Sequence, residues 1–127
     1  MERTYILLSG VLGFLAVALG AFGAHGLKAR LGGLPDYAQR MDWWQTAAQY
    51  HLVHALALLA VATLLQRGSA GPVGVWAGIG FIAGIILFSG SLYVMTLTGV
   101  RVLGAVTPIG GLCLLAGWAC LALTAIR

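Results

Sequence analysis

Residues 73–97 read VGVWAGIGFIAGIILFSGSLYVMTL, and no charged side chain occurs among them. At about 1.5 Å of rise per residue, a helix of this length crosses the ~30 Å of hydrocarbon in a bilayer. A lone segment in lipid must satisfy its own backbone hydrogen bonds, so helix is the form it takes. Working outward, three further apolar stretches appear, at 5–24, 46–65 and 102–126. Each meets the requirement of about 20 residues for a span. The reading is an all-α membrane protein: one domain, 1–127, folded as a four-transmembrane-helix bundle, with a longer first loop that holds a short interfacial helix.

Composition supports this class. Of 127 residues, 61% are hydrophobic and 8% charged, with mean hydropathy +0.98. Soluble domains carry about 25% charged residues, and without them a surface cannot be covered by groups that water solvates. The apolar side chains therefore face lipid, and a multi-pass protein of the cell inner (plasma) membrane is expected. The net charge of +4 does not point to nucleic acid. The basic residues form no run; they stand singly at the ends of apolar stretches, where anionic headgroups favour them. Four spans place Arg3, Arg67 and Arg127 on one side and Lys28, Arg30, Arg40 and Arg101 on the other, a balance too even to orient the chain. The first stretch exceeds the ~7–15 residues of a signal-peptide core and is expected to be a retained anchor. Cys113 and Cys120 lie seven residues apart in one span, roughly 10 Å along the axis, too far for a disulfide. Small packing residues are expected there.

The connections differ. Residues 66–71 form a tight polar turn, and Pro72 suits the first turn of the following helix. Residues 98–104 form another short link. The long connection, 25–45, contains the breaker Leu34-Pro35-Asp36. Within it Tyr37 to Trp44 is read as the interfacial helix, with Trp43 and Trp44 as anchors at the headgroups. Small residues mark helix contacts, because close approach of backbones is what binds helices in lipid. Gly13, Gly20 and Gly23 lie on one strip of the first span. On the third, Gly74, Gly78 and Gly80, Gly84 give overlapping GxxxG spacings.

Polar residues gather on the long-loop side. Asp42, Thr46, Tyr50 and His54 step by four, a stripe that drifts about 40° per step. Gln45 and Gln49 flank it, and His51 stands one turn before His54. Ser89 and Tyr93 step by four on the third span at comparable depth, and His25 closes the first. Polar side chains at such depth face the bundle interior. Two uses compete. In the first, these groups hydrogen-bond across helices and fix one packing, at ~0.6 kcal/mol each on average, and no cofactor is needed. In the second they hold a small ligand: a metal or haem if His25, His51 and His54 converge, or a quinone beside titratable histidine and flat aromatic rings. An oligomeric small-solute transporter is a further alternative, although four short spans leave little room for alternating access. Catalysis finds no nucleophile elbow, no cysteine beside a histidine and no close pair of carboxylates. The partners expected are membrane lipid and either a second copy of the chain or another membrane protein.

GAFGAHGL at 20–27, WWQTAAQYHLVHALALL at 43–59, GSLYVMTLTG at 90–99 and LGAVTPIGGLCLLAGW at 103–118 together resemble one family. It is the YgdD-like family of small bacterial membrane proteins, domain of unknown function 423, related to eukaryotic transmembrane protein 256. The resemblance implies a four-span inner-membrane protein and supplies no activity. The family's motifs fall on Gly23, His25, Gly26, Tyr50, His51, His54, Ser91, Tyr93, Thr107, Pro108 and Gly110, which adds Ser91 to the polar group reached from the residues.

Overall fold

The computed structural model describes residues 1–126; Arg127, counted above among the basic residues at the termini, lies outside them. Four helices are long and apolar enough to cross a membrane. They are α1 (Glu2–Leu31), α2 (Tyr37–Gln66), α3 (Gly71–Thr98) and α4 (Thr107–Leu123), the last preceded by a 3-10 turn, Arg101–Ala105. No strand occurs among the described residues.

The first connection is shorter than expected. Tyr37 to Trp44 is helical, but it is the first part of α2 and not a separate interfacial helix. The reason is local: no glycine or proline occurs between Tyr37 and Gln66, so nothing interrupts the hydrogen-bond ladder once it starts after Pro35. α1 likewise continues past Ala24 to Leu31. Both helices rise beyond the apolar spans as a helical hairpin joined at residues 32–36. Pro72 and Pro108 sit in the first turns of α3 and α4, where a missing N–H costs nothing. Gly99 ends α3 at φ 72°, a left-handed conformation that glycine adopts without strain.

Sequence neighbours pack together: α1 on α2, α2 on α3, α3 on α4. The apolar windows of α2 and α3 are each 39% buried and those of α1 and α4 17%, so the inner pair forms the spine and the outer pair faces lipid. The core joins Tyr5, Leu58, Val61, Ala77, Phe81 and Leu114. A smaller cluster at the long-loop end joins Ala47, Leu92 and Met95.

The glycines of α3 serve two faces, because an offset of two residues turns a helix by about 200°. Gly78 admits the Tyr5 ring of α1, while Gly80 and Gly84 admit α4. A Cβ on Gly80 would stand 2.9 Å from both the Cys113 carbonyl and the Gly117 Cα. Gly23 takes the indole of Trp44. Gly13 and Gly20, expected to pack in the same strip, meet nothing within 4 Å; Gly20 borders a small recess between α1 and α2, beside Met41, Trp44 and Ala48. Cys113 and Cys120 are free and half-buried.

Within α3, residues Ile85–Ser89 form a π-helical turn. Such a turn inserts one extra residue, which rotates the following residues relative to the preceding ones. It directs Ser89 toward α2 and leaves Phe88 between α2 and α4, where it lines a cleft described below.

Candidate functional site

The polar residues of α2 and α3 are positioned by this spine. Ser89 Oγ donates to the Ala47 carbonyl at 2.8 Å. Ser91 Oγ donates to the Phe88 carbonyl at 2.9 Å and accepts from Thr107 Oγ1 at 2.6 Å, which ties α3 to the start of α4. His51 Nδ1 meets the Tyr93 hydroxyl at 3.0 Å, and its buried Nε2 has no hydrogen-bond partner among the described residues.

His54 is more constrained. Its Nδ1 lies 2.6 Å from the Tyr50 carbonyl, which can only accept. Its Nε2 lies 2.9 Å from Trp118 Nε1 of α4, an indole N–H that can only donate. The two partners fix the tautomer: Nδ1 carries the proton and Nε2 offers its lone pair to Trp118. Both ring nitrogens are thus occupied, and a metal at Nε2 would have to displace the indole. Tyr50 stacks on the imidazole with centroids 5.8 Å apart, and Trp118 meets Phe81 edge-on at 5.1 Å.

Not all the residues singled out in the sequence come together. His25 is exposed near the end of α1, apart from the buried His51 and His54. Among the described residues no group of three or more His, Cys, Asp or Glu is placed to hold a metal. The stripe Asp42, Thr46, Tyr50, His54 begins exposed and ends buried, with Thr46 half-buried and Tyr50 still 43% exposed. Its drift of about 40° per step, or roughly 120° over three, carries its deep end into the protein. Gln49 is exposed beside it.

The two tryptophans also part. Trp44 is no headgroup anchor: it is buried at 2% exposure and donates to the Leu19 carbonyl of α1 at 2.8 Å. Adjacent helical residues point about 100° apart, so one of the pair had to turn inward. Trp43 lies under the Arg101 guanidinium, 5.4 Å from its centroid. Around it Arg40 bonds Asp36 at 3.1 Å and the Thr96 carbonyl at 3.2 Å, while Thr96 Oγ1 reaches back to the Arg40 carbonyl at 3.1 Å. This reciprocal pair fastens the raised end of α2 to the end of α3.

A cleft of about 500 Å³ opens between α2 and α4, lined by Tyr50, His54, Phe88, Pro108, Leu115 and Trp118 among others. α2 and α4 run in the same direction and scarcely touch along their length; the His54–Trp118 bond bridges them. Nothing in the amino-acid pattern singles out Trp118. Trp118 stands 11 residues past Thr107 and His54 17 past Tyr37, so position along the two helices does not pair them and only the fold does. Gly110 and Gly117 were likewise missed as packing sites; Gly110 abuts the backbone of Leu87 and Phe88, and Gly117 the Phe81 ring.

The family model described as a protein of unknown function, DUF423, matches residues 19–111. The UPF0382 membrane protein YwdK of Bacillus subtilis is 42% identical over 125 residues, covering 98% of both chains. The UPF0382 inner membrane protein YgdD of Escherichia coli K12 is 41% identical over 129 residues, covering 99% of this chain and 92% of its own. The UPF0382 membrane protein SH2409 of Staphylococcus haemolyticus is 37% identical over 125 residues, covering 98% of this chain and 97% of its own. No solved structure matches. With four membrane-crossing helices and full-length relatives of this kind, the chain is a multi-pass protein of the cell inner membrane and belongs to the DUF423 family.

Proposed function

We propose that this chain is a non-enzymatic bundle whose polar end fastens the helices together and whose outer surface contacts lipid or a membrane partner. One observation carries the reading: His54, the deepest polar residue of α2, uses both ring nitrogens on protein partners. The same economy holds around it, where Ser89, Ser91, Trp44 and Thr96 spend their donors on neighbouring carbonyls. Unsatisfied polar groups in hydrocarbon cost several kcal/mol each, and these bonds satisfy all of them but His51 Nε2, the one buried side-chain atom without a partner among the described residues. In this reading no cofactor takes part, and nucleic acid is not a partner.

The rival reading is a redox or ligand-binding protein with metal, haem or quinone at the histidines. Absorption spectroscopy, elemental analysis and solvent extraction of the purified full chain separate the two. The proposal predicts no visible chromophore and substoichiometric metal and quinone. One equivalent of any of them, lost on His54→Ala, would overturn it.

A further inference from the structure

The lipid-facing side of α2 holds two polar groups in an unusual place. Gln49 and Tyr50 lie one turn inside the apolar span that begins near Thr46, about 5–6 Å along the axis, and both are exposed. Neither the Gln49 amide nor the Tyr50 hydroxyl bonds a described residue; the Tyr50 bond to His54 uses its backbone carbonyl. Polar side chains at this depth ordinarily turn inward. These two flank an opening: a small recess of about 160 Å³ between Gln49, Tyr50, Val53 and His54 adjoins the 500 Å³ cleft between α2 and α4. The cleft reaches from Pro108 to Trp118 on α4, ten residues or about 15 Å, from near the long-loop interface toward the middle of the bilayer.

We infer that this cleft is a binding site for one glycerophospholipid, its acyl chain lying along Leu115 and Trp118 and its ester carbonyl accepting from Tyr50 and Gln49. The volume falls within the range of ligand pockets, which are apolar with a few placed polar groups. The polarity runs the right way. Helical side chains lean toward the N-terminus of their helix, so those of Tyr50 and Gln49 lean toward the long-loop interface, where lipid carbonyls lie. Both groups can donate, and an ester oxygen can only accept. The wall beside the acyl chain is held open from within: Phe88 is set there by the π-helical turn, and the His54–Trp118 bond fixes the spacing of two helices that otherwise scarcely pack. π-turns are frequent at functional sites.

This inference rests on reading the bundle as a lipid-contacting protein, and its test keeps the two apart. Full-length protein in detergent is titrated with palmitoyl-oleoyl phosphatidylglycerol and examined by native mass spectrometry. The wild type should retain one phospholipid per chain under activation that strips the remainder. Gly111→Leu, whose new side chain fills the cleft, should lose it. Gln49→Leu with Tyr50→Phe, two surface changes, should weaken retention roughly tenfold, the effect of losing one to two hydrogen bonds, while thermal unfolding stays unchanged. Equal retention by wild type and the double variant, or no retained lipid in the wild type, would overturn the site and leave the bundle reading standing. A chromophore or quinone released from the same sample would overturn both.

Discussion

His54 sits where a carbonyl and an indole N–H converge on one imidazole, and that geometry dictates what its replacements do. Alanine removes the bonds to the Tyr50 carbonyl and to Trp118, and it leaves the indole donor in an apolar cleft. Interhelical hydrogen bonds in membranes average ~0.6 kcal/mol and reach ~1.7, so His54→Ala should lower unfolding stability by about 1–2 kcal/mol. Asparagine carries both a donor and an acceptor but is shorter, and His54→Asn should recover part of the loss. A cycle with Trp118→Phe isolates the link between α2 and α4. Non-additivity of about 0.5–1.5 kcal/mol in denaturant unfolding is expected; additive losses would mean that the bond contributes nothing. His51 differs, because its Nε2 has no partner and only its Tyr93 bond is at stake.

At the scale of the helix, glycine spacing alone does not reveal which glycines pack. Gly13 and Gly110 both stand in small-residue surroundings, yet a Cβ on Gly13 meets nothing and one on Gly110 collides with the Leu87 and Phe88 backbone. Gly110→Ala should therefore force α3 and α4 apart and cost several kcal/mol, since backbone cannot yield as a flexible side chain does. Gly13→Ala should be neutral or stabilising by up to about 1 kcal/mol through helix propensity. Thermal unfolding of the two variants in lipid checks the contrast, and equal effects would contradict the packing described. Hydropathy revealed the spans because it is a property of consecutive residues. It does not reveal that α2 begins at Tyr37: the interfacial composition of 37–44 suggests a separate element, although no breaker separates it from the span. The π-helical turn at 85–89 has no sequence signature, yet it decides that Ser89 reaches α2.

Across the whole molecule the fold was legible and the site only partly so. Four spans, their order and the polar end follow from where charge and apolar runs fall. Which polar residues meet depends on rotations about helix axes. A residue at the right depth can point to lipid, as Tyr50 does, or inward, as His54 does. His25 lies on the same side of the membrane as the other histidines, but sharing a side does not bring side chains together. Trp118 completes the bundle's polar end from the other terminus of the chain, 64 residues from its partner, beyond the reach of local pattern. The result is a bundle whose inner pair of helices is fastened at several points to α1 and α4, through Trp44, Ser91 and His54.

The central claim is that the interior polar groups clasp helices and hold no metal, haem or quinone, and the protonation of His54 tests it most directly. Nitrogen-15 NMR of the histidine side chains, recorded on the full chain in lipid bilayers near neutral pH, reports which ring nitrogen carries hydrogen. The structure predicts a neutral His54 with the proton on Nδ1 and a bare Nε2 whose resonance shifts when Trp118 becomes Phe. A proton on Nε2, a doubly protonated ring, or the displaced resonance of a metal-bound nitrogen would contradict the account.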